Sequence, residues 1–277
     1  MTRSVLVPTS LVREAEDKRE ATRKLGYVAR AAAVFRVDNL RVFSDPAGEG
    51  DWGGGFVETV LRYAATPPYL RKEVWDERDE LEYAGVLPPL RLSPRTGSES
   101  DDSGSSRQGI VTRVGSDGRV RVNCGLQHPI SLHVPDGMDV DEGERVTVRV
   151  SSRRPVRARL VDERPPLVVE RLGLDEALGR EDAGLGIATS RLGTPLTLGR
   201  LERLSARIAE DGYTVAFGSP GRGLPDICDV APDANGVVEP DGTGFDRWLN
   251  TVPNQGSATV RTEEAMFASL APLSLTE

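Results

Sequence analysis

The sequence predicts an α/β protein with a parallel sheet, interrupted in the middle of the chain by a small all-β barrel. Near the N-terminus a strand, a helix and a second strand follow one another, an order that predicts parallel pairing with right-handed crossovers. The middle of the chain holds five short runs of alternating apolar and polar residues, which predict strands. Helices and strands alternate again toward the C-terminus, so the barrel separates two halves of one α/β domain.

The first half of the α/β domain covers residues 1–95, and the spacing of apolar residues predicts its elements. Residues 4–7 favour a short buried strand that a proline ends. Residues 11–35 begin with acidic side chains and continue with apolar residues at three- and four-residue spacing, which predicts a helix. Residues 39–43 predict a second strand, and residues 56–65 predict a second helix.

A polar linker joins this half to the barrel. Residues 93–106 contain only polar residues, glycine and proline, and such a stretch buries too little apolar surface to offset its ordering entropy. We therefore predict a flexible linker over residues 96–106. Residues 107–163 contain the five alternating runs, which are separated by turn residues. This pattern is typical of a small five-stranded barrel of the OB type.

The second half of the α/β domain covers residues 164–277, where helical and strand patterns alternate again. The predicted helices cover residues 174–178, 197–210 and 262–270, and the predicted strands cover residues 185–188, 213–217 and 246–249.

The composition is that of a globular protein with an acidic surface. The chain has 277 residues, 35 basic and 43 acidic side chains and a net charge of −8, and only three of its basic residues are lysines. This pattern indicates a halophilic or GC-rich source, because acidic surfaces keep proteins soluble where screening is strong. The length allows one or two domains with a sizeable core, which excludes the collagen-like, fully disordered and miniprotein classes.

The sequence gives no sign of membrane insertion, export or metal binding. Its apolar runs are far shorter than the ~20 residues of a spanning helix, and the N-terminus lacks the apolar core of a signal peptide. The two cysteines, Cys124 and Cys228, do not have the spacing of a zinc site or of a disulfide framework. We expect a soluble cytoplasmic protein with reduced thiols, no metal and no membrane partner.

An arginine-rich stretch in the barrel indicates contact with nucleic acid. Acidic residues are absent from residues 145–161, although acids outnumber bases in the whole chain. OB barrels commonly bind oligonucleotides, and arginine can bind phosphate through two hydrogen bonds. The alternative is a solvated basic edge strand that prevents aggregation. The arginines of this stretch are Arg145, Arg149, Arg153, Arg154, Arg157 and Arg159.

Two glycine-bearing loops follow predicted strands of the second half. Residues 213–224 contain a strand and a glycine-rich turn, and residues 252–257 precede the last helix. The carboxyl ends of parallel strands are where open α/β folds bind ligands, so the two loops together predict one pocket. Their spacing is neither that of GxGxxG nor that of a phosphate-binding loop, which disfavours a dinucleotide or a triphosphate. Taken singly, each loop could be no more than a turn.

These segments resemble the motifs of the SPOUT superfamily of knotted RNA methyltransferases. The resemblance lies in GYVARAAAVF at residues 26–35, YTVAFGSPGRGL at 213–224 and VPNQGSATVRTEEAMFASL at 252–270, in this order and spacing. PPYLRKEVW at 67–75 and AGVLPPL at 84–90, together with the barrel, resemble one branch, the archaeal and eukaryotic RNA uridine-N3 methyltransferases. The resemblance covers nearly the whole chain, and the C-terminal motif is its most specific part.

The resemblance implies a deep trefoil knot in the C-terminal part, whose loops hold S-adenosylmethionine largely through backbone groups. The residues at the matching positions are Ala188, Thr189, Ser190, Phe217, Gly218, Gly221, Gly223, Leu224, Val252, Asn254, Gln255, Gly256, Ser257, Thr262 and Ala265.

The resemblance also implies a homodimer with the active site at its interface. Arg30 matches an arginine that faces the RNA, often from the other subunit, and it is the expected catalytic residue. Arg191 and Arg222 flank the implied donor pocket and are expected to bind RNA phosphate. The implied target is N3 of a uridine in large-subunit rRNA. The alternatives are a ribose 2′-hydroxyl, another base nitrogen, or a catalytically silent RNA-binding or ribosome-assembly protein.

Methylation at uridine N3 requires a group that accepts the imide proton. Glu263 and Glu264 are candidates, although either can instead cap the last helix. His128 and His133 lie in the barrel and are expected to be surface or strand residues, and Cys228 is expected to be inert because no base lies near it in sequence.

Overall fold

The chain forms two compact units in a computed structural model. The first, here called the sheet unit, contains the chain up to Ala65, Asp79–Leu90 and the chain from Leu167 onward. The second, the barrel unit, contains Thr66–Arg78 and Arg91–Pro166. The residues that the structure describes are 2–92, 105–153, 155–240 and 242–275.

Strands and helices are numbered in chain order. The strands are β1 (Thr2–Pro8), β2 (Asn39–Phe43), β3 (Ser105–Val114), β4 (Arg119–Asn123), β5 (Ile130–His133), β6 (Arg145–Arg153), β7 (Val156–Val161), β8 (Val168–Arg171), β9 (Leu185–Pro195), β10 (Gly212–Ala216) and β11 (Arg247–Asn250). The helices are α1 (Lys18–Val34), α2 (Gly54–Ala65), α3 (Arg71–Val74), α4 (Leu174–Leu178), α5 (Leu198–Asp211), α6 (Leu224–Ile227) and α7 (Thr262–Leu273).

Six parallel strands form the sheet of the sheet unit, in the order β11–β9–β10–β1–β2–β8. Parallel sheets are covered on both faces, and β2 and β10 are accordingly buried along their whole length. Trp248, Tyr213 and Phe43 are among the largest fully buried side chains. The predicted parallel sheet is confirmed, and the two strands of the first half, β1 and β2, lie between strands of the second half.

Helix α1 begins later than the predicted residue 11. Leu11 and Val12 are buried in a series of turns, and the helix starts at Lys18. The preceding residue, Asp17, is the N-cap, and its side chain accepts a hydrogen bond from the backbone nitrogen of Glu20 at 2.6 Å. The apolar spacing continues through the turns, so the spacing alone predicts a helix that starts too early.

Strand β9 is longer than predicted, and its extra length shapes the functional site. The predicted residues 185–188 pair with β10, and β9 continues to Pro195. The partner of Trp248 in β9 is Ala188, whereas the partner of Leu249 is Thr194, so the intervening residues of β9 bulge away from β11. Gly193 lies directly against β11, because a Cβ there would be 2.7 Å from the backbone of Leu249.

The short strand β8 is absent from the sequence prediction. It pairs in parallel with β2 at the edge of the sheet, and Val169 is buried there. Only four residues long, it follows two prolines and carries too few residues for a period to be visible.

The barrel unit contains the five predicted strands. They form an antiparallel sheet in the order β5–β4–β3–β6–β7, and the edge strands β5 and β7 approach each other, so the sheet is nearly closed. Its core includes Val111, Val122 and Val148. Ser105 and Ser106 begin β3 and are not part of a linker, whereas residues 96–104 of the predicted linker lie outside the described residues.

Candidate functional site

A cavity of about 420 Å³ lies beyond the carboxyl ends of β10 and β11. One wall is the bulge of β9, a second is the loop between β10 and α6, and the third runs from the end of β11 into the first turn of α7. The sequence predicts a pocket at this edge of the sheet, where the ends of parallel strands leave a crevice between their loops. The two glycine-bearing loops do meet there.

Most of the residues predicted to bind the cofactor line this cavity. Arg191 and Arg222, the two arginines expected to flank it, line it as well. The predicted cofactor residues in the lining are Thr189, Ser190, Phe217, Gly218, Gly221, Gly223, Val252, Gln255, Thr262 and Ala265.

Five residues predicted to bind the cofactor do not line the cavity. Ala188 and Leu224 are fully buried, in β9 and at the start of α6. Asn254, Gly256 and Ser257 are exposed on the loop between β11 and α7. Ser219, which belongs to the quoted motif 213–224, also lines the cavity. The lining further includes residues that sequence reasoning missed, and most adjoin predicted ones: Leu192, Pro225, Asp226, Asn250, Thr251, Ala258, Thr259 and Val260.

The loop between β10 and α6 contains a tight turn, here called the 219–222 turn. The backbone nitrogen of Arg222 donates to the carbonyl oxygen of Ser219 at 3.1 Å, and the nitrogen of Ser219 donates to the carbonyl of Arg222 at 2.9 Å. Pro220 takes the second position, and Gly221 has φ +69° at the third, as a type II turn requires. The proline and glycine of the motif thus set the shape of this wall.

Hydrogen bonds tie the three walls together. Thr262 at the start of α7 donates from its hydroxyl to the carbonyl of Gly218 at 2.8 Å. Thr189 in the bulge donates to the carbonyl of Ala216 at 2.8 Å. Gly218 also lies close to α6, because a Cβ there would be 2.7 Å from the nitrogen of Leu224. Backbone carbonyls and close backbone packing therefore join the walls of the cavity.

Charged groups at the cavity are few and differ in their surroundings. Arg191 is exposed, whereas Nε of Arg222 lies 3.1 Å from both carboxylate oxygens of Asp45, a residue that sequence reasoning missed. This hydrogen bonding raises the pKa of the Arg222 guanidinium. Among the described residues of the lining, Asp226 carries the one carboxylate, and its Oδ2 accepts from the nitrogen of Gly223 at 3.1 Å.

The two glutamates proposed as proton acceptors lie outside the lining. Glu264 caps α7, since its Oε2 accepts from the backbone nitrogen of Arg261 at 2.9 Å. Glu263 is buried, and burial raises the pKa of its carboxyl group.

Arg30 lies on α1 and does not line the cavity of its own chain. Its guanidinium donates to the carbonyl oxygens of Leu90 at 3.2 Å and Pro89 at 3.4 Å. Within one chain the structure therefore does not bring Arg30 together with the predicted cofactor residues.

The side chains of the arginine-rich stretch of the barrel differ in their exposure. Arg145 donates to Gln108 and to the carbonyl of Pro166, and burial lowers its pKa to about 10. Arg149 binds Glu163 at 2.9 Å. Arg157 and Arg159 are exposed, and the side chain of Arg153 and all of Arg154 lie outside the description.

Arg145 and Arg149 therefore have partners within the chain, and their contact with RNA stays a prediction. The sequence window that ends at Val161 excludes Glu163, which is the partner of Arg149. The neighbouring strand β3 supplies the partner of Arg145, Gln108, which lies 37 positions away. An acid-free run of sequence does not reveal either partner.

Neither a metal cluster nor a spanning helix is found in the described part of the chain. No three His, Cys, Asp or Glu side chains converge there in an arrangement able to hold a metal ion. No helix among the same residues has the length and apolar character needed to cross a bilayer.

Comparison with known proteins identifies the family. Residues 2–273 match the family model described as "Putative RNA methyltransferase". An uncharacterized protein of Halobacterium salinarum is 69% identical over the whole of both chains. The human 28S rRNA (uridine-N(3))-methyltransferase is 31% identical, and the alignment covers 98% of this chain and 77% of the human protein. The chain belongs to this family of RNA methyltransferases.

Proposed function

We propose that this protein transfers a methyl group from S-adenosylmethionine to N3 of a uridine in large-subunit rRNA. The observation that carries the proposal is the cavity at the carboxyl edge of the sheet, lined by loops whose motifs belong to the family match. The human and mouse relatives, both named as 28S rRNA (uridine-N(3))-methyltransferases, favour this target over a ribose hydroxyl or another base nitrogen.

The cavity fits this methyl donor in size and in the character of its walls. Its volume of about 420 Å³ lies within the range of small-molecule sites. Val252 and Ala265 supply apolar surface, Thr189 and Ser190 supply hydroxyl groups, and Gly218 leaves its backbone accessible to a ligand. We propose that the ten predicted cofactor residues of the lining hold the donor, and that Ala188 and Leu224 support them from behind.

The chain's part in the reaction is to align the two reactants. When bound, S-adenosylmethionine supplies an electrophilic methyl group on a positively charged sulfur. Displacement at such a group is in line, so rate depends on fixed distances and angles between donor and acceptor. The hydrogen bonds of Thr262 and Thr189 to backbone carbonyls keep the walls of the cavity in place for this alignment.

A uridine acceptor has to leave any duplex and lose its N3 proton. We propose Asp226 as the group that accepts this proton, because it carries the one carboxylate among the described lining residues. Glu263 and Glu264 lie outside the lining and are not assigned this role. Arg222 and Arg191 are proposed to bind phosphates of the RNA.

A homodimer completes the proposed site. In this arrangement Arg30 of one subunit faces the cavity of the other and stabilises the uridine anion. Tyr27 and Val34, on the same helix as Arg30, are each 46% exposed, and exposed apolar side chains on one helix favour an interface.

The barrel unit is proposed to bind RNA. Arg157 and Arg159 are exposed on one face of β7, because side chains two positions apart in a strand point the same way. We further propose an OB topology for the barrel, a deep trefoil knot within residues 164–277, and a cytoplasmic location.

Titration of the full-length protein with S-adenosylmethionine by calorimetry, in concentrated KCl, tests the donor site. We expect saturable binding to each chain. Absence of binding up to millimolar donor would contradict the enzyme proposal and favour a catalytically silent RNA-binding protein. Comparing rRNA methylation maps from strains with and without the gene then locates the target, since a methyl group that disappears from another atom would overturn the N3 assignment.

A further inference from the structure

We infer that Asp45 is a positioning residue that fixes the 219–222 turn, so that donor affinity depends on a side chain outside the cavity lining. The inference rests on the proposed donor site. Asp45 follows β2, in the first half of the chain, and the turn follows β10, in the second half. The two strands flank β1, so their carboxyl ends lie at the same edge of the sheet.

Both ends of the turn are tied to this region. Nε of Arg222 lies 3.1 Å from each carboxylate oxygen of Asp45. The hydroxyl of Ser10, which follows β1, donates to Oδ2 of Asp45 at 2.6 Å and lies 3.1 Å from the hydroxyl of Ser219. The last residue of the turn is thus bound to the carboxylate directly, and the first is bound through Ser10.

The burial of the carboxylate makes this contact costly to lose. The side chain of Asp45 is only 3% exposed, whereas that of Arg222 is 23% exposed. A buried carboxylate needs a charged partner and hydrogen bonds to offset its desolvation, and Arg222 and Ser10 supply them. Movement of Arg222 away from Asp45 would leave that charge buried without its partner. The turn therefore has one favoured position.

The backbone packs closely against the ion pair at Gly48. A Cβ at Gly48 would lie within 2.2 Å of Oδ2 of Asp45, 2.8 Å of Cδ of Arg222 and 2.9 Å of Cβ of Ser10. The backbone of the loop after β2 thus closes directly over the ion pair. Ser219 and Arg222 line the cavity, so the position fixed here is the position of its wall.

The test is a double-mutant cycle on the full chain, with the dissociation constant of S-adenosylmethionine as the measured quantity. We expect Asp45→Asn to weaken donor binding about tenfold, which is the scale of one lost hydrogen bond to a charged group. If Asp45 acts through Arg222, adding Asp45→Asn to Arg222→Gln produces no further loss. If Asp45 contributed only to stability, its fold-loss of donor affinity would instead multiply with the fold-loss that Arg222→Gln causes.

A matched control separates positioning from general stability. Glu170→Gln breaks a second ion pair in the same sheet, in which Nε of Arg41 lies 2.6 Å from the Glu170 carboxylate on the neighbouring strands β2 and β8. Glu170 and Arg41 lie outside the cavity lining, so we expect lower resistance to urea and unchanged donor affinity.

Each outcome bears on the proposal. Unchanged donor affinity in Asp45→Asn, or multiplicative losses in the cycle, would overturn the role of Asp45 while leaving the donor site intact. A wild-type chain that binds no donor would overturn both. If Asp45→Asn does not fold, Arg222→Lys carries the test, because the lysine keeps the charge but lacks Nε, and we expect about the same tenfold loss.

Discussion

Gly218 shows how one residue can control access to the cavity. A Cβ at this position would lie 2.7 Å from the nitrogen of Leu224 and 2.9 Å from the backbone of Gly223, so an alanine displaces the start of α6. We predict that Gly218→Ala lowers donor affinity at least tenfold in calorimetry, about 1.4 kcal/mol. Gly256→Ala is the control, because a Cβ there meets nothing within 4 Å and Gly256 does not line the cavity. Equal affinities of the two variants would contradict the described wall.

Glu263 gives a pH-dependent prediction. Burial raises the pKa of its carboxyl group above the ordinary value of 4.5, so the folded chain binds its proton more tightly than the unfolded chain does. The stability from this group is present below pH 4.5 and is lost as the pH rises through the raised pKa. We predict that Glu263→Gln raises the free energy of unfolding at pH 7, and that the gain shrinks toward pH 4.5. Urea unfolding of both proteins between pH 4.5 and pH 7 measures the gain in the free energy of unfolding. A gain that is constant with pH would be inconsistent with the raised pKa.

Cys228 is predicted to be unreactive in the folded protein. Burial, together with the nearby carboxylates of Asp175 and Asp45, raises the pKa of its thiol from 9.0 to about 11. Only the thiolate reacts with iodoacetamide, so at pH 8 we expect alkylation roughly one hundred times slower in the native than in the unfolded chain. Mass spectrometry of the Cys228 peptide gives both rates, and similar values would show that the thiol is not shielded.

The residues that sequence reasoning located and those it missed differ in one respect. Gly218, Gly221 and Arg222 belong to a contiguous motif, so their proximity is visible in the chain itself. Asp45 contacts Arg222 in the same turn although the two residues are 177 positions apart in sequence. The pairing of β1 with β2 and with β10 brings them together. Sequence motifs can therefore predict the residues that line the cavity, whereas Asp45, which lies behind the lining, can be found only from the fold.

At the scale of elements, apolar periodicity predicts which segments are helices and strands better than it predicts where they begin. Strand β2 forms over the predicted residues, and α4 does as well. The start of α1 depends on the side-chain hydrogen bond of Asp17, which the periodicity of apolar residues does not reveal. Strand β8 depends on pairing with β2, a contact between distant parts of the chain.

Strand β7 gives a prediction about RNA. Arg157 and Arg159 are exposed on it, whereas Arg145 on β6 is part-buried, and it donates to Gln108 and to the carbonyl of Pro166. We predict that the double variant Arg157→Gln/Arg159→Gln weakens RNA binding and lowers the salt slope of log K by roughly 0.7 for each phosphate that the variant no longer neutralises. Fluorescence anisotropy with labelled single-stranded RNA over a KCl series measures both quantities.

Arg145→Gln serves as the control for that series, since its guanidinium is already engaged within the barrel unit. We expect its RNA affinity and salt slope to match those of the wild type. A larger loss of affinity from Arg145→Gln than from the double variant would place the RNA on β6 and contradict the assignment to β7.

At the scale of the whole molecule, the site depends on chain segments that are far apart in sequence. The alternation of strands and helices predicts one parallel sheet from two halves, and the sheet order confirms it. Sequence reasoning assigned Thr66–Arg78 to the first half, whereas this segment belongs to the barrel unit. Tyr69 in that segment donates to the carbonyl of Gln108 on β3 at 3.0 Å. No local sequence pattern indicates this contact.

The net charge of −8 is compatible with an RNA substrate once the charge is examined locally. Two relatives of haloarchaeal origin, from Halobacterium salinarum and Haloarcula marismortui, are each 69% identical to this chain, which agrees with an acidic, salt-adapted surface. Arg191 at the cavity and Arg157 on β7 are exposed against this background. The net charge agrees with a surface adapted to high salt, and the exposed arginines are the groups that can contact phosphate.

The most direct test of the central claim is methyl transfer to RNA by the purified chain. Full-length protein in concentrated KCl is incubated with isotope-labelled S-adenosylmethionine and an unmodified haloarchaeal 23S rRNA transcript, and the digested nucleosides are analysed by mass spectrometry, with Gly218→Ala as the weak-binding control. We predict labelled 3-methyluridine at a single position, and less of it with the control variant when the donor is below saturation. Label on another atom, or no label on RNA that the protein binds, would contradict the claim.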